Sequence, residues 1–355
     1  MKITDLKYEK VRIKLKKPFV VALGTIEYCE TVIVKILTDE GYFGYGEAAP
    51  FSPVTGESVD TVLLTLEAFK SFLIGKDPLA IERIHHIMDR AAIGNTSAKA
   101  AIDIALHDIK GKVMGAPLYK VLGGFDNKIQ TDMTIGIGSP KDMAEEAKRR
   151  VAEGFRILKI KAGIAPENDI EAIRFIREAV GYNIRLRMDA NQGWSVNDAV
   201  GVSKALEDYK VEAIEQSLPY WNIDGAAFIR SKTNIKVMLD ETIHSPYDAL
   251  KVVRKEAADI LNIKLMKSGG LYPAEKINAI AEAAGVKCML GCMLETRVAI
   301  TAAASLIAAK RNITETDLDS FMYCQESDGI KGGFVIEGDV ITLLNEPGLG
   351  ININM

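Results

Sequence analysis

The sequence predicts an α/β protein: a TIM-like (β/α)7β barrel behind an N-terminal α+β domain. Two observations lead there. From Lys128 onward, short β-branched runs alternate with amphipathic helical runs, eight of the first and seven of the second. Short buried strands separated by helices build a parallel sheet, and eight of them close into a barrel. Before that point the strand-like runs come first and the helical runs follow, which is the order of an α+β domain. At 355 residues the chain is long enough to hold both.

In the first part, "VRIKLKKPFVVALG" and "TVIVKILTDEGYFGYGEA" read as strands, with "DEG" as a hairpin turn. "SVDTVLLTLEAFKSFLIG" and "AKAAIDIALHDIKGKVMG" read as helices that end at glycine. The barrel strands are "IQTDMTIGI", "FRILKIKAG", "IRLRMDA", "VEAIEQ", "IKVMLDE", "ADILNIK", "VKCMLGC" and, with the weakest pattern, "ETDLDSF". Amphipathic runs such as "DIEAIRFIREAV" and "SPYDALKVVRKEA" lie between them. An open doubly wound sheet is the competing architecture. It needs a phosphate loop, and "GIGSPK" at Gly136 lacks the third glycine of that fingerprint. The final stretch, "CQESDGIKGGFVIEGDVITLLNEPGLG", returns to turns and short strands. The expected division is residues 1–125, 126–320 and 321–355, the last packing back on the first.

Composition excludes several classes. A net charge of −4 leaves no basic footprint for nucleic acid. No apolar stretch approaches the roughly 18 residues that span a membrane. "FVVAL" is too short for the core of a signal peptide. Cysteines 29, 288, 292 and 324 are scattered without zinc-ligand spacing and suit reduced thiols in the cytoplasm.

Polar residues stand where the apolar strands stop: Lys161, Asp189, Glu215, Asp240 and Lys264 end strands two to six. They recur about once per βα unit, and side chains at matching strand ends meet at the C-terminal mouth of a barrel. A lone Asp or Glu there is as readily a helix cap. Five in phase are not, and lysine caps poorly. Asp189, Glu215 and Asp240 come from adjacent strands, so their carboxylates converge and repel unless a cation joins them. Hard oxygen ligands favour Mg²⁺, or Mn²⁺, over zinc. Histidines 85, 86, 107 and 244 occupy none of these positions.

Strands two and six are four apart in a ring of eight, which sets Lys161 and Lys264 opposite each other. A Mg²⁺ between them would bind a substrate carboxylate and stabilise the enediolate formed when the α-proton leaves. Two opposed bases would then invert the α-carbon. A useful lysine base has a pKa near ~7–8 rather than ~10.4. Lys159, on the same strand face, is expected to lower that of Lys161 by like-charge repulsion, or to pair with the substrate carboxylate. Lys267 follows Lys264, past the strand end.

"KIK", "DANQGW", "IEQ", the "DE" of strand five and "NIKLMKSGG" together resemble the enolase superfamily, in its muconate-lactonizing-enzyme subgroup. The likeness spans the chain, including a capping domain that carries "KPF" and "GYGEA". It implies that Asp189, Glu215 and Asp240 ligate one Mg²⁺ and that Lys161 and Lys264 are the acid/base pair. Lys161 would act on the R-configured carbon and Lys264 on the S-configured one. It also implies a homo-oligomer. The subgroup includes cycloisomerases, o-succinylbenzoate synthases, N-acylamino-acid racemases and dipeptide epimerases. Asp317 and Asp319 of "TDLDSF" resemble the paired carboxylates with which dipeptide epimerases hold a free α-amino group. In strand geometry they would alternate onto one face. Thr134 and Cys292 match positions that line the dipeptide site.

One position departs from the family. Members that prefer alanyl-glutamate carry an arginine in the lid loop where this chain has Gly24. A weak preference for acidic second residues, and better acceptance of neutral or hydrophobic ones, is therefore expected. The lid loops around Gly24 and "PFSPVTGES" are expected to set specificity.

Overall fold

The computed structural model describes residues 1–21, 24–325 and 329–354. Ala22 and Leu23 of the lid loop and 326–328 of the C-terminal stretch lie outside the described residues.

The chain opens with three antiparallel strands, β1 (Ile3–Val21), β2 (Gly24–Thr38) and β3 (Phe43–Ala48). Helices α1 (Ser52–Thr55), α2 (Val59–Leu73), α3 (Ile81–Ala91) and α4 (Thr96–Val113) follow, then α5 (Leu118–Val121). Ser58 caps α2 in a reciprocal capping box with Thr61. The sheet meets α4 at two glycines. A Cβ on Gly46 would lie 1.8 Å from the Ala101 carbonyl oxygen, so only glycine allows strand and helix this close.

The barrel then runs in chain order. Its strands are β5 (Met133–Ile135), β6 (Ile157–Lys161), β7 (Arg185–Asp189), β8 (Val211–Glu215), β9 (Lys236–Leu239), β10 (Ile260–Lys264), β11 (Lys287–Gly291) and β12 (Ile313–Asp317). Between them lie α6 (Pro140–Ala152), α7 (Pro166–Val180), α8 (Val196–Leu206), α9 (Ile223–Arg230), α10 (Pro246–Arg254), the short α11 (Leu265–Ser268) with α12 (Leu271–Ala283), and α13 (Arg297–Ala309). Every neighbouring pair is parallel, and the eight strands form one sheet in sequence order. Side chains close the ring between its ends: the Leu318 N–H donates to Thr131 Oγ1 at 2.9 Å, and the Thr134 N–H donates to Asp319 Oδ2 at 2.7 Å.

The first predicted barrel strand divides in two. Its start is β4 (Lys128–Gln130), which joins β14 (Phe334–Glu337) and β15 (Val340–Leu343) in a separate antiparallel sheet. Only Met133–Ile135 enters the barrel. The eighth strand is also shorter than the alternation suggests. It stops at Asp317, and Asp319 has helical dihedrals as the cap of α14 (Ser320–Tyr323). β13 (Ile330–Gly332) and β16 (Ile351–Ile353) complete the C-terminal segment, whose Leu349 N–H donates to Asp108 of α4 at 2.8 Å.

Two buried carboxylates pin the N-terminal sheet and helices to the barrel. Glu47 of β3 accepts from the Thr296 N–H and hydroxyl, both at 2.7 Å, and from the Ala299 N–H at 2.9 Å, at the start of α13. Asp103 of α4 accepts from the N–H groups of Leu271 and Tyr272 at the start of α12, and pairs with His85 at 2.7 Å. Both are charge-assisted bonds to the positive end of a helix. They fix the sheet over the barrel mouth.

Candidate active site

Parallel register sets the strand ends side by side: Lys161 pairs with Asp189, Asp189 with Glu215, and Gly291 with Asp317. A cavity of ≈ 250 Å³ opens there. Of the residues expected from sequence, Thr134, Lys159, Lys161, Asp240, Lys264, Cys292, Asp317 and Asp319 line it. Asp189 and Glu215 stand directly behind, each paired to Lys159. Lys161 and Lys264 lie four strands apart in the ring.

Lys159 differs from expectation. Its ammonium is buried and bridges Asp317 at 2.8 Å, Glu215 at 2.9 Å and Asp189 at 3.0 Å. Burial opposes its charge, but the three carboxylates outweigh burial and hold its pKa well above the ordinary lysine value. Its charge is thus spent on three anions rather than left bare beside Lys161. Lys161 donates to Asp189 Oδ2 at 2.7 Å, and Lys264 pairs with Asp240 Oδ2 at 2.8 Å. Burial again opposes the Lys264 charge, and Asp240 more than offsets it, so its pKa is raised.

Lys267 is completely buried and grips Asp240 through both its carboxylate and its carbonyl, and the Asn262 carbonyl at 3.0 Å. Sequence reasoning left its reach open. Here it anchors a carboxylate and does not line the cavity. Asn191 and Glu241 do line it and were not singled out, although "DAN" and "DE" place each next to a strand-end carboxylate.

Charge balance tests whether a divalent cation fits. On the barrel, the carboxyl groups of Asp189, Glu215, Asp240, Glu241, Glu295, Asp317 and Asp319 outnumber the ammonium groups of Lys159, Lys161, Lys264 and Lys267. Raised carboxyl pKa values mark the excess. Burial and the Asp189 charge push Glu215 up to about 7, and burial with Asp240 pushes Glu241 up to about 8. A divalent ion among Asp189, Glu215 and Asp240 would offset this excess of negative charge. The donors are all hard oxygens, so the residues fit Mg²⁺.

A tighter group of possible ligands lies elsewhere: Cys292, Asp317 and Asp319 offer atoms within 4.8 Å of one another. It is a poor metal site. Burial and Asp317 hold the Cys292 thiol well above its usual pKa, so it stays protonated. Asp319 already accepts from the Thr134 N–H at 2.7 Å and lies 2.8 Å from the Tyr323 hydroxyl. Two carboxylates around a protonated thiol suit a hydrogen-bonding cation such as an ammonium group. Asp319 reaches this place from a turn rather than from strand alternation.

The lid side of the cavity is apolar. Ile26 and Tyr28 of β2 share one strand face with Glu30, and Phe51 and Val54 come from "PFSPVTGES". Gly24 is exposed at the start of β2 with open space around it. Among the described residues no cation of the lid lines the cavity; its one charged group is Glu30, which pairs with Arg12 at 3.3 Å and Lys10 at 3.5 Å.

An eight-stranded parallel barrel with carboxylates and opposed lysines at its mouth, under an antiparallel capping sheet, is the enolase architecture. Residues 142–355 match the enolase C-terminal domain-like family, and residues 3–123 match the mandelate racemase / muconate lactonizing enzyme N-terminal domain. The chain belongs to this family. It is 46% identical over 99% of its length to all of a hydrophobic dipeptide epimerase from Enterococcus faecalis. It is 44% identical, over 99% of both chains, to an L-Ala-D/L-Glu epimerase from Clostridium acetobutylicum. Its structure superposes with a TM-score of 0.97 on the Enterococcus faecalis V583 dipeptide epimerase complexed with Mg and L-Leu-L-Tyr, at 45% identity, covering 99% of this chain and 100% of that one.

Proposed function

We propose that this chain is a Mg²⁺-dependent dipeptide epimerase that inverts the α-carbon of the C-terminal residue by two-base proton transfer, and that it favours neutral or hydrophobic second residues. The observation that carries the reading is the pair of lysines on opposite sides of the mouth, each held by its own carboxylate: Lys161 by Asp189 and Lys264 by Asp240. One base alone would return the proton to the face it left; two make inversion the outcome.

Asp189, Glu215 and Asp240 would hold the ion. When bound there, Mg²⁺ supplies positive charge against the negative charge that grows on the substrate carboxylate as the α-proton departs. The chain's own residues do the rest. Lys159 adds a fixed positive charge beside the same carboxylate. Asp317 and Asp319 receive the free α-ammonium and so fix the register of the dipeptide. Lys161 takes or returns the proton of the R-configured carbon, and Lys264 that of the S-configured one. Thr134 and Cys292 shape the wall, and the lid shields the reacting carbon from water. Ile26, Tyr28, Phe51 and Val54 offer a second side chain apolar contact and no cation.

In the same reading residues 1–125 form the capping domain, 126–320 the barrel, and 321–355 return to the cap. The protein works in the cytoplasm as a homo-oligomer. Its four cysteines are free and buried, and no helix of the described residues is long and apolar enough to cross a membrane.

The test is incubation of L-Leu-L-Tyr with enzyme and Mg²⁺ in D₂O, followed by mass spectrometry and chiral analysis. Deuterium should enter only the tyrosine α-carbon, with formation of L-Leu-D-Tyr. Preferred turnover of an N-succinyl amino acid over every dipeptide would overturn the assignment.

A further inference from the structure

The two lysines that flank the cavity are held differently. Lys161 Nζ donates to Asp189 Oδ2 at 2.7 Å and also to Asn191 Oδ1 at 2.9 Å. Asn191 Nδ2 in turn donates to Glu241 Oε1 at 3.2 Å. Chemistry fixes the order of these groups. An ammonium can only donate, so the amide must turn its oxygen to Lys161 and its nitrogen to the Glu241 carboxyl. Lys264 has a single ion-pair partner among the described residues, Asp240, and makes no hydrogen bond to an amide there: Asn262, on the same face of its strand, turns its amide nitrogen to Glu215 Oε1.

Asn191 is built into this place. Its φ is 40°, in the left-handed region that asparagine tolerates better than other side chains. Its own N–H donates to Asp189 Oδ1 at 3.0 Å, which locks the turn that carries the amide. Glu241 is buried, and its Oε2 has no partner among the described residues. Both side chains line the cavity: Asn191 follows the end of β7 and Glu241 the end of β9, and the hydrogen bond between them carries the chain to Lys161.

We propose that Asn191 and Glu241 form a relay that positions Lys161 but not Lys264, so that the two half-reactions depend on it unequally. The proposal rests on the two-base reading above. A base on four rotatable bonds reacts efficiently only when its nitrogen is held at the reacting distance. Asp189 alone fixes Nζ in one direction; the Asn191 oxygen fixes a second. Glu241 acts one step further back, by holding the amide plane. Asn191 and Glu241 are thus positioning residues for one face of the α-carbon.

The test compares early deuterium uptake from D₂O by L-Leu-D-Tyr, whose proton faces Lys161, with uptake by L-Leu-L-Tyr, whose proton faces Lys264. Asn191→Gly keeps the left-handed backbone and deletes only the amide. Glu241→Ala removes the far end of the relay, while Glu241→Gln keeps an acceptor oxygen for it. Asn191→Gly and Glu241→Ala should each lower the D-epimer to L-epimer uptake ratio by about tenfold. Glu241→Gln should hold that ratio within about twofold of the parent, and the double variant should be no worse than Asn191→Gly alone. In a metal-free crystal structure of Asn191→Gly, Lys161 should spread over more than one rotamer. Uptake from both epimers falling together, with the ratio unchanged, would overturn the proposal. A parent protein that exchanges neither epimer would remove the two-base reading, and the relay with it.

Discussion

Replacing Asp317 by Asn keeps the shape of the side chain and removes its charge. Asp317 is buried, and its Oδ2 is 2.8 Å from the Lys159 ammonium. Burial works against its ionisation, yet Lys159 and then Lys264 hold its pKa below the usual carboxylate range, so it is an anion at neutral pH. Removing one partner of a buried ion pair costs ~3–5 kcal/mol. Lys159 keeps Asp189 and Glu215, and Asp319 stays beside the amine, so the low end applies. At ~1.4 kcal/mol per tenfold, about 3 kcal/mol is roughly a 150-fold loss in kcat/KM for L-Leu-L-Tyr. The same variant is then assayed on 4-methylpentanoyl-L-tyrosine, which is that dipeptide without its amine. The parent enzyme has already lost the ammonium contact with this analogue, so Asp317→Asn should cost it about tenfold or less. Thermal melting checks that both proteins are folded. Equal losses on the two substrates would refute the assignment of Asp317 to the amine and leave it as a partner of Lys159 only.

Three further outcomes follow from other parts of the molecule. Glu30→Gln removes the one charged lid group on the cavity among the described residues and frees Arg12 and Lys10; kcat/KM for L-Leu-L-Glu relative to L-Leu-L-Tyr should rise about three- to fivefold. Gly46→Ala drives a Cβ against the Ala101 carbonyl oxygen, which should cost about 2–3 kcal/mol and lower Tm by roughly 3–4 °C in thermal denaturation. His107 is buried beside Asp103 at 3.3 Å; burial disfavours its charge, but the carboxylate prevails and raises its pKa above the ordinary 6.5. A raised histidine pKa adds stability that is complete below the unfolded value and fades as pH climbs through the folded one. The Tm advantage of the parent over His107→Gln should therefore be greatest near pH 6 and shrink towards pH 9.

The strand-and-helix alternation was readable because each barrel strand is a short apolar run that ends in a charged residue. Parallel register then carries Lys161, Asp189 and Glu215 to one level. What escaped depends on contacts between distant segments. Residues 128–130 look like the start of the first barrel strand but pair with β15, more than two hundred residues later. Asp319 has the spacing of a strand residue and reaches the site from a turn that closes on Thr134. Lys159 read as a bare positive charge because nothing local shows that three carboxylates from β7, β8 and β12 surround it. Asn191 and Glu241 were passed over because each stands beside a stronger candidate; their bond to each other crosses from the end of β7 to the end of β9.

The central claim is that two lysines work on opposite faces of one carbon. Its most direct measurement is deuterium uptake from D₂O by L-Leu-L-Tyr and by L-Leu-D-Tyr in the parent, Lys161→Ala and Lys264→Ala proteins, with Mg²⁺ present. Neither variant should interconvert the epimers. Lys161→Ala should still exchange the L-epimer and Lys264→Ala the D-epimer, each without inversion. Full interconversion by either variant, or the same epimer exchanged by both, would contradict the two-base account.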